Sequence, residues 1–428
     1  MPRASLLSHR DFRLLWGGQS VSELGTFVTK VSIPLLAALV LAATPLQMGL
    51  LTAAEDVAFL LIGLPVGVWV DRMRRRPVML RADLARIALL ASIPVVWWCG
   101  RLTLTQLIAV SLGVSVCTVF FDVAYQSYLP ALIGRSQLVE GNAKLQASQS
   151  SAEVSGPALG GGLTQLAGAA NAVLADAVSY LVSALCLWRI RTPEPEPDRP
   201  TVPNLRAEIG EGLRFVFGSR ALRAIVGCTA TSNFCMNITM SVAILMLTRH
   251  LGASAGTVGL LMSSGSAGGV LGAVCARRIG SGIGQTRTIW LSLTCSSPFM
   301  LLLPLTGTGD RLLLYPLGFF VGSFGAVVYN VAQLSFRQAL CPDRLLGRMN
   351  ASVRFVVWGT LPLGGLLGGV LGSWIGIRPT MWVAAIGIAL APLWLLCSPL
   401  RHMRELPEPA EKQLGINDLT TFTPPAPQ

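Results

Sequence analysis

Gly67-Val-Trp-Val-Asp71-Arg72-Met-Arg74-Arg75-Arg76-Pro77-Val-Met-Leu80 is a short charged corner set between two long apolar runs. Each run is long enough to cross a bilayer, so these four arginines within five residues must lie where the bilayer ends. Short loops rich in Arg and Lys stay on the cytoplasmic side, and the corner marks that face. Gly63 and Gly67, four apart on the preceding helix, are expected to leave room for a neighbouring helix to approach closely.

The composition agrees with a membrane protein. Of the 428 residues, 52% are hydrophobic and 13% charged, against roughly 25% charged in soluble domains. The net charge of +12 is spread between apolar runs and not gathered on one domain, which argues for topology over nucleic-acid binding. Thirty of the 33 basic residues are Arg; the lysines are Lys30, Lys144 and Lys412. Nine single cysteines without a Cys-x-x-Cys pair imply neither a disulfide framework nor a metal site. The three histidines, His9, His250 and His402, lie near a terminus or loop, which leaves no buried histidine relay. Met1 to Arg13 is polar and leads into a full-length span, unlike a cleavable signal.

Apolar runs of membrane length number twelve, at about 14–42, 46–70, 77–99, 103–129, 143–166, 168–190, 221–248, 254–276, 286–306, 311–338, 349–372 and 374–399. An even count puts both termini on one side. Loops, tails and adjoining helix ends on that side hold 25 of the Lys and Arg, while the opposite loops hold four, Arg101, Arg249, Arg311 and Arg378. Both termini are therefore expected in the cytoplasm. The chain divides into a six-helix bundle over 1–190, a cytoplasmic linker over 191–220, a second six-helix bundle over 221–400 and a disordered tail over 401–428. The linker opens with Thr192-Pro-Glu-Pro-Glu-Pro-Asp198. It then turns helical, with Leu205, Ile209 and Leu213 on one face for the membrane surface.

The two halves repeat each other without gaps. Ala131, Leu132, Leu138, Asn142, Ala143, Gly156, Gly160 and Gly161 meet Ala339, Leu340, Leu346, Asn350, Ala351, Gly364, Gly368 and Gly369 at one offset. Gly63, Gly67 and Arg72 meet Gly268, Gly272 and Arg277 at another, while Asp71 meets Ala276. This is the parallel-repeat design, an all-α polytopic fold of two six-helix bundles.

The corner's Gly-x-x-x-Asp-Arg-x-x-Arg-Arg resembles the loop 2–3 signature of the major facilitator superfamily. The resemblance implies that Gly67, Asp71, Arg72, Arg75 and Arg76 form a gating latch that stabilises an outward-facing state, with Asp122 completing it. Ser155-Gly156-Pro157-Ala-Leu-Gly160-Gly161-Gly162 resembles the Gly-Pro motif of the superfamily's antiporters; its proline removes a backbone donor and kinks the helix. Asp11-Phe-Arg-Leu-Leu-Trp16, Phe121-Asp-Val-Ala-Tyr-Gln-Ser-Tyr-Leu-Pro130, Glu208-Ile-Gly-Glu-Gly-Leu-Arg-Phe215 and Leu346-Gly-Arg-Met-Asn350 look like the branch holding macrolide-efflux proteins and the enterobactin exporter. Two departures matter: Thr26 stands where this branch often has an acid, and the fourth span lacks the Arg that many antiporters carry.

Ionisable residues inside spans are costly, roughly 2.5–3.5 kcal/mol each, and ask for a reason. Glu23, Glu55, Asp56, Asp83, Asp122, Glu153 and Asp176 all fall in the first half. Proton coupling is therefore expected there, with Glu23 and Glu153 as first candidates and Glu55 or Asp56 as second, since only one of that pair is expected to face a cavity. Glu23 lies about 15 Å along the first helix, near the midplane. Asp83 and Arg86, three apart, are expected to pair. In the second half Asn233, Asn237, Tyr329, Asn330 and Gln333 are candidates for an uncharged polar cavity surface, with Phe234, Met236, Met240 and Trp358 as an adaptable wall. No phosphate-binding loop and no nucleophile–base constellation occurs, so neither an ATP-driven pump, an enzyme nor a cofactor is expected. The expected protein exports small amphipathic molecules in exchange for protons, as a monomer in the plasma membrane. An uptake permease of the same fold and a non-transporting membrane sensor are the alternatives.

Overall fold

The computed structural model describes residue 6 and residues 9–134, 137–194, 205–341 and 343–403. Among them all regular structure is helical. The first half comprises α1 (Arg10–Leu35), α2 (Pro45–Asp71), α3 (Arg75–Trp98), α4 (Leu104–Ile133), α5 (Leu138–Ala167) and α6 (Ala169–Arg189). The linker carries α7 (Leu205–Gly218). The second half comprises α8 (Arg220–Leu245), α9 (Ala255–Ile283), α10 (Gln285–Ser296), which runs on through a 3-10 turn into α11 (Leu302–Leu305), then α12 (Leu314–Leu340), α13 (Asp343–Trp374) and α14 (Ile377–Leu390), which ends in α15 (Leu393–Leu396). Twelve rods of membrane length result, six on each side of α7.

Ten of these rods are long and apolar enough in composition to cross a bilayer. The other two expected spans are present as α3 and α5, of 24 and 30 residues, with less apolar sequences. Beyond Arg75 and Arg76 at its start, α3 carries Arg81, Asp83 and Arg86, of which Asp83 and Arg86 are buried inside the bundle. Beyond Glu140 and Lys144 in its first two turns, α5 carries the polar Gln146, Gln149, Ser150 and Glu153. Both rods pack among helices that do qualify, α3 on α4 and α6, α5 on α1.

The repeat is carried into local geometry. α1 ends in a π-helical turn at Leu36–Val40 and α8 in one at Met246–His250. Each is closed by a backbone bond, Ala43 N–H to Ala37 O and Ala253 N–H to Leu247 O, both 2.9 Å. The reversal that follows needs a positive φ, supplied by Ala42 (49°) in the first half and Gly252 (63°) in the second.

The repeated glycines perform matched tasks. A side chain at Gly156 would run into Phe27 and one at Gly160 into Val28, so α5 lies directly on α1. Their counterparts Gly364 and Gly368 lie against Phe234 and Ile238, so α13 lies on α8. The third pair reaches across to the opposite half. Gly161 meets the backbone of Ala255 and Gly259 on α9, and Gly369 meets Gly49 and Pro45 on α2.

These crossings lie at the end of the bundle that carries the α1–α2 turn, here called the crown; the end holding α7 and both described termini is the base. Further crown contacts are Leu46 N–H to Ser373 Oγ (3.1 Å), Gly256 N–H to Gln165 Oε1 (3.0 Å) and Arg249 Nη2 to Ala43 O (2.8 Å). Moving down α2 and α13, backbone contact at Gly49–Gly369 becomes side-chain contact where Phe59 meets Trp358 edge-on at 5.1 Å. Beside Gly63 and Arg354 a cavity separates the helices. The expected close helix neighbour of Gly63 and Gly67 is therefore not found: nothing stands within 4 Å of a side chain built at either. Their repeat counterparts Gly268 and Gly272 do pack on α12, against Phe320 and Phe324.

The linker is pinned at both ends. Asp11, buried on α1, accepts bonds from the Arg191 N–H (3.1 Å), the Thr192 N–H (2.8 Å) and the Thr192 hydroxyl (2.6 Å). At the other end α7 packs on the second half. Phe215 and Val216 join a cluster with Met349, Val353 and Val357, and Glu211 pairs with Arg348. The side chains of Leu205 and Ile209, residues 195–204 and the tail from 404 lie outside the described residues.

Gly161→Val or Gly369→Val is expected to wedge the crown open, at about 1–3 kcal/mol as for other overpacked contacts. Thiol labelling of a cysteine placed at Ala255, buried at the same crossing, should become faster in either variant; unchanged labelling would show that these crossings do not hold the crown shut.

Candidate translocation site

One cavity opens off the seam between the halves and a second lies within the first half. The larger, of about 360 Å³, lies between α2, α4 and α13, with Phe59 and Trp358 at its roof and Asp122 and Arg354 on facing walls. The Arg354 guanidinium rests on the Trp358 ring at 4.9 Å, a contact that suits a cation at a partly wet surface. The smaller, of about 240 Å³, lies inside the first half between α1, α4 and α5 and is lined by Gln19, Glu23, Tyr125, Asn142, Gln146 and Gln149.

Glu23 is half-buried and accepts a bond from Gln19 Nε2 at 2.9 Å. Beside it the buried Tyr125 hydroxyl has no partner among the described residues. A buried hydroxyl left unpaired is costly, and a polar cavity next to a carboxylate is where water would satisfy it. Glu153 is exposed on α5 and lies within electrostatic reach of Glu23 and Lys30. The first two proton-coupling candidates are thus brought together.

Lys30 was not singled out from sequence, yet it is the cation these acids share. It lies over the Phe27 ring at 4.9 Å and within electrostatic reach of Glu55, Asp56, Asp122 and Glu153. Glu55 and Asp56, adjacent on α2, are both within electrostatic reach of Lys30, and neither lines either of the two cavities. Asp122 sits in the larger cavity within reach of Glu23, Arg86 and Arg354.

The arginine corner takes other partners. Glu194 accepts the backbone N–H of Arg75 (2.6 Å) and of Arg76 (3.2 Å) and pairs with the Arg75 guanidinium at 3.7 Å. It thereby caps α3, whose own N-cap residue, Arg74, offers no side-chain bond. Arg76 donates to the carbonyls of Leu187 (2.8 Å) and Trp188 (2.6 Å) at the end of α6. Arg72 is exposed, and the Asp71 side chain lies outside the described residues. Glu194 and Asp11 were both missed in the sequence because they act on backbone groups far along the chain.

The expected Asp83–Arg86 pair is present at 3.5 Å, with both residues buried. Arg86 is sandwiched between Phe121 (4.4 Å) and Tyr180 (4.5 Å), and Asp83 accepts a bond from the Ser183 hydroxyl at 2.7 Å. Tyr180 bonds Thr26 at 2.9 Å, so the position noted as lacking an acid is part of this internal network. Asp176, for which the sequence offered no account, is buried, bonded by Ser179 at 2.9 Å and pressed against Gly25 of α1.

The second-half polar candidates divide. Asn233 and Asn237 are half-buried on α8 and Asn330 is exposed. Tyr329 is only 3% exposed, with its hydroxyl tied to Thr229 (2.7 Å) and Ile225 O (3.1 Å). Gln333 is buried and accepts from Arg337 at 3.2 Å. Tyr329 thereby ties α12 to α8, the Gln333–Arg337 bond lies within α12, and neither residue lines either of the two cavities, in contrast to the expected cavity surface. Of the apolar wall, Trp358 does line the larger cavity.

Two six-helix bundles in parallel repeat, meeting over an acid-lined seam, define a membrane transporter of the major facilitator type and not an enzyme. The chain belongs to the transmembrane secretion effector family, which it matches over residues 3–419. It is 27% identical to the multidrug efflux pump Tap of Mycolicibacterium fortuitum, over 84% of this chain and 88% of that one. It is 24% identical to macrolide efflux protein A of Streptococcus pyogenes, over 92% and 97%. Among solved structures, a bacterial homologue of the iron transporter ferroportin in its inward-facing state superposes with TM-score 0.73 at 16% identity, covering 92% of this chain and 99% of that one. The same homologue in its outward-facing state gives 0.58, covering 90% and 98%.

Removing one partner of a buried ion pair strands the other, at about 3–5 kcal/mol. Arg86→Gln should therefore lower the thermal stability of the purified protein markedly, while Asp83→Asn combined with Arg86→Gln should recover much of it. Equal losses in single and double variants would show that the pair is not coupled.

Proposed function

We propose that this protein exports small amphipathic molecules of drug, macrolide or siderophore type across the plasma membrane in exchange for protons, by alternating access. The observation that carries the reading is the gathering of Glu55, Asp56, Asp122 and Glu153 within reach of one lysine, Lys30, with Glu23 in reach of Asp122 and Glu153, beside the seam. Acids of this kind at membrane depth mark ion pathways; with Arg86 paired to Asp83, the five acids outnumber Lys30 and Arg354, which leaves negative charge for a proton to neutralise. Support for export comes from the efflux relatives and from the Gly-Pro segment, whose Pro157 and Gly161 form the crown contact with α9.

In this reading both termini are cytoplasmic, the base faces the cytoplasm and the structure is the inward-facing state. The better superposition on the inward-facing homologue agrees with that. Substrate enters from the base beneath Phe59 and Trp358, between Asp122 and Arg354. Asn233, Asn237 and Asn330 remain its polar contacts on the second half. Protonation of Glu23 or Glu153 then biases the two states. When the base closes, Asp71, Arg72, Arg75 and Arg76 form the latch, and Gly63 and Gly67 receive the helix they lack here. The corner's hold on Glu194 and α6 belongs to the open base.

Collapse of a pH gradient in inverted vesicles, with macrolides, catechol siderophores and lipophilic cations added one at a time, tests the reading. A response to one class, absent in Glu23→Gln or Glu153→Gln proteins that still insert in the membrane, is the expected outcome. Full gradient-driven transport by both single variants and their double would remove the coupling assignment, and accumulation instead of efflux would make the protein an uptake permease. Asp71→Asn is expected to slow turnover while substrate binding persists; an unchanged rate would argue against the latch.

A further inference from the structure

A second concavity, of about 1140 Å³, lies away from the seam, on the base side of the second half between α8, α14 and α15. None of the seam candidates lines it. Its wall carries Leu390, Leu393 and Trp394, each at least half exposed at 53%, 50% and 53%. Large apolar side chains so exposed on a membrane-spanning rod face lipid. The Trp394 ring lies flat on α8 because Gly227 has no side chain there; a Cβ at Gly227 would stand 2.9 Å from the ring. The other side of the same concavity is basic, lined by Arg220, Arg223 and Arg401, with no acidic residue in the lining. Arg220 and Arg223, at the start of α8, are exposed and take no ion pair among the described residues.

An apolar wall running into a pair of exposed arginines, with a tryptophan at the boundary, has the polarity of one molecule: a lipid with an anionic headgroup. The guanidinium fork matches phosphate oxygens two at a time. Basic pockets between membrane helices are where anionic headgroups lodge, and tryptophan favours headgroup depth. We propose that this groove binds one anionic phospholipid from the leaflet at the base, its phosphate on Arg220 and Arg223 with Arg401 alongside, and an acyl chain along Leu390, Leu393 and Trp394. The site is independent of the transport cycle proposed above, and it gives the second half a fixed lipid contact beside the linker helix.

The test is native mass spectrometry of the full-length protein in a non-ionic detergent, titrated with phosphatidylglycerol or phosphatidylcholine of the same chains. One phosphatidylglycerol should bind at least about tenfold more tightly than phosphatidylcholine. Arg220→Gln with Arg223→Gln should weaken that adduct about thirtyfold and erase the preference, whereas Arg220→Lys with Arg223→Lys should keep most of it. Arg278→Gln with Arg287→Gln removes the same charge elsewhere and should leave the adduct unchanged. If the double glutamine variant does not survive extraction, Arg223→Gln alone should show about a fivefold loss. Equal binding of the two lipids by the unaltered protein, or equal loss in the two glutamine pairs, would overturn the proposal. So would an adduct formed only after truncation beyond Met403, since the acidic tail with Glu405, Glu408 and Glu411 would then be the occupant.

Discussion

Everything else in the fold depends on two places where backbone touches backbone, Gly161 on Gly259 and Gly369 on Gly49. Lipid tails are as apolar as leucine, so no hydrophobic force draws one bundle to the other within a bilayer. Close packing through small residues is what remains. Because the two crossings are repeats of each other, they close the crown on both flanks at once. The rods are stiff and nearly 30 residues long, so closure at one end leaves separation at the other, and the cavity under Phe59 and Trp358 follows from that geometry.

The same helices fix the inner frame of each half. Gly156 and Gly160 seat α5 on α1, while Gly161, one position on and so about 100° further round, faces the opposite bundle. One short segment therefore couples the packing within a half to the packing between halves. Charge divides along a related line. Asp83 and Arg86 are buried as a pair, with Arg86 between two aromatic rings, where they hold α3, α4 and α6 together. Glu23 lines a cavity and Glu153 is exposed with Lys30 in reach, neither with an ion pair of its own among the described residues.

The fold was legible in the sequence because its signals are long: twelve apolar runs, arginines on one side of the count, and a repeat that keeps register over scores of residues. Even α3 and α5, less apolar than the rest, were found as spans because their neighbours set the spacing. The site was less legible because it depends on the rotational phase of one helix against another. That phase brings Lys30 towards Asp122 and Glu153, and turns the Tyr329 hydroxyl onto α8 while Gln333 bonds Arg337 within its own helix. Glu194 and Asp11 were invisible for a further reason, since the groups they satisfy are backbone N–H groups that carry no residue signature. Gly63 and Gly67 were read for a close helix contact, and their spacing alone could not say that a cavity stands beside Gly63 instead.

The repeat is faithful in its glycines and unfaithful in its charges. Asp71 faces Ala276 in the repeat, and among the described residues the acids near the seam belong to the first half, while the second half offers Arg354 and amides. Two bundles of one shape can close symmetrically, but a cycle that couples one ion to one substrate needs something to differ between them. On the proposed reading, the difference is the uncompensated carboxylates around Lys30. A proton and a positively charged amphipathic substrate both relieve the same excess of negative charge, so occupation by one weakens the call for the other. That competition is the simplest physical route from this charge arrangement to exchange.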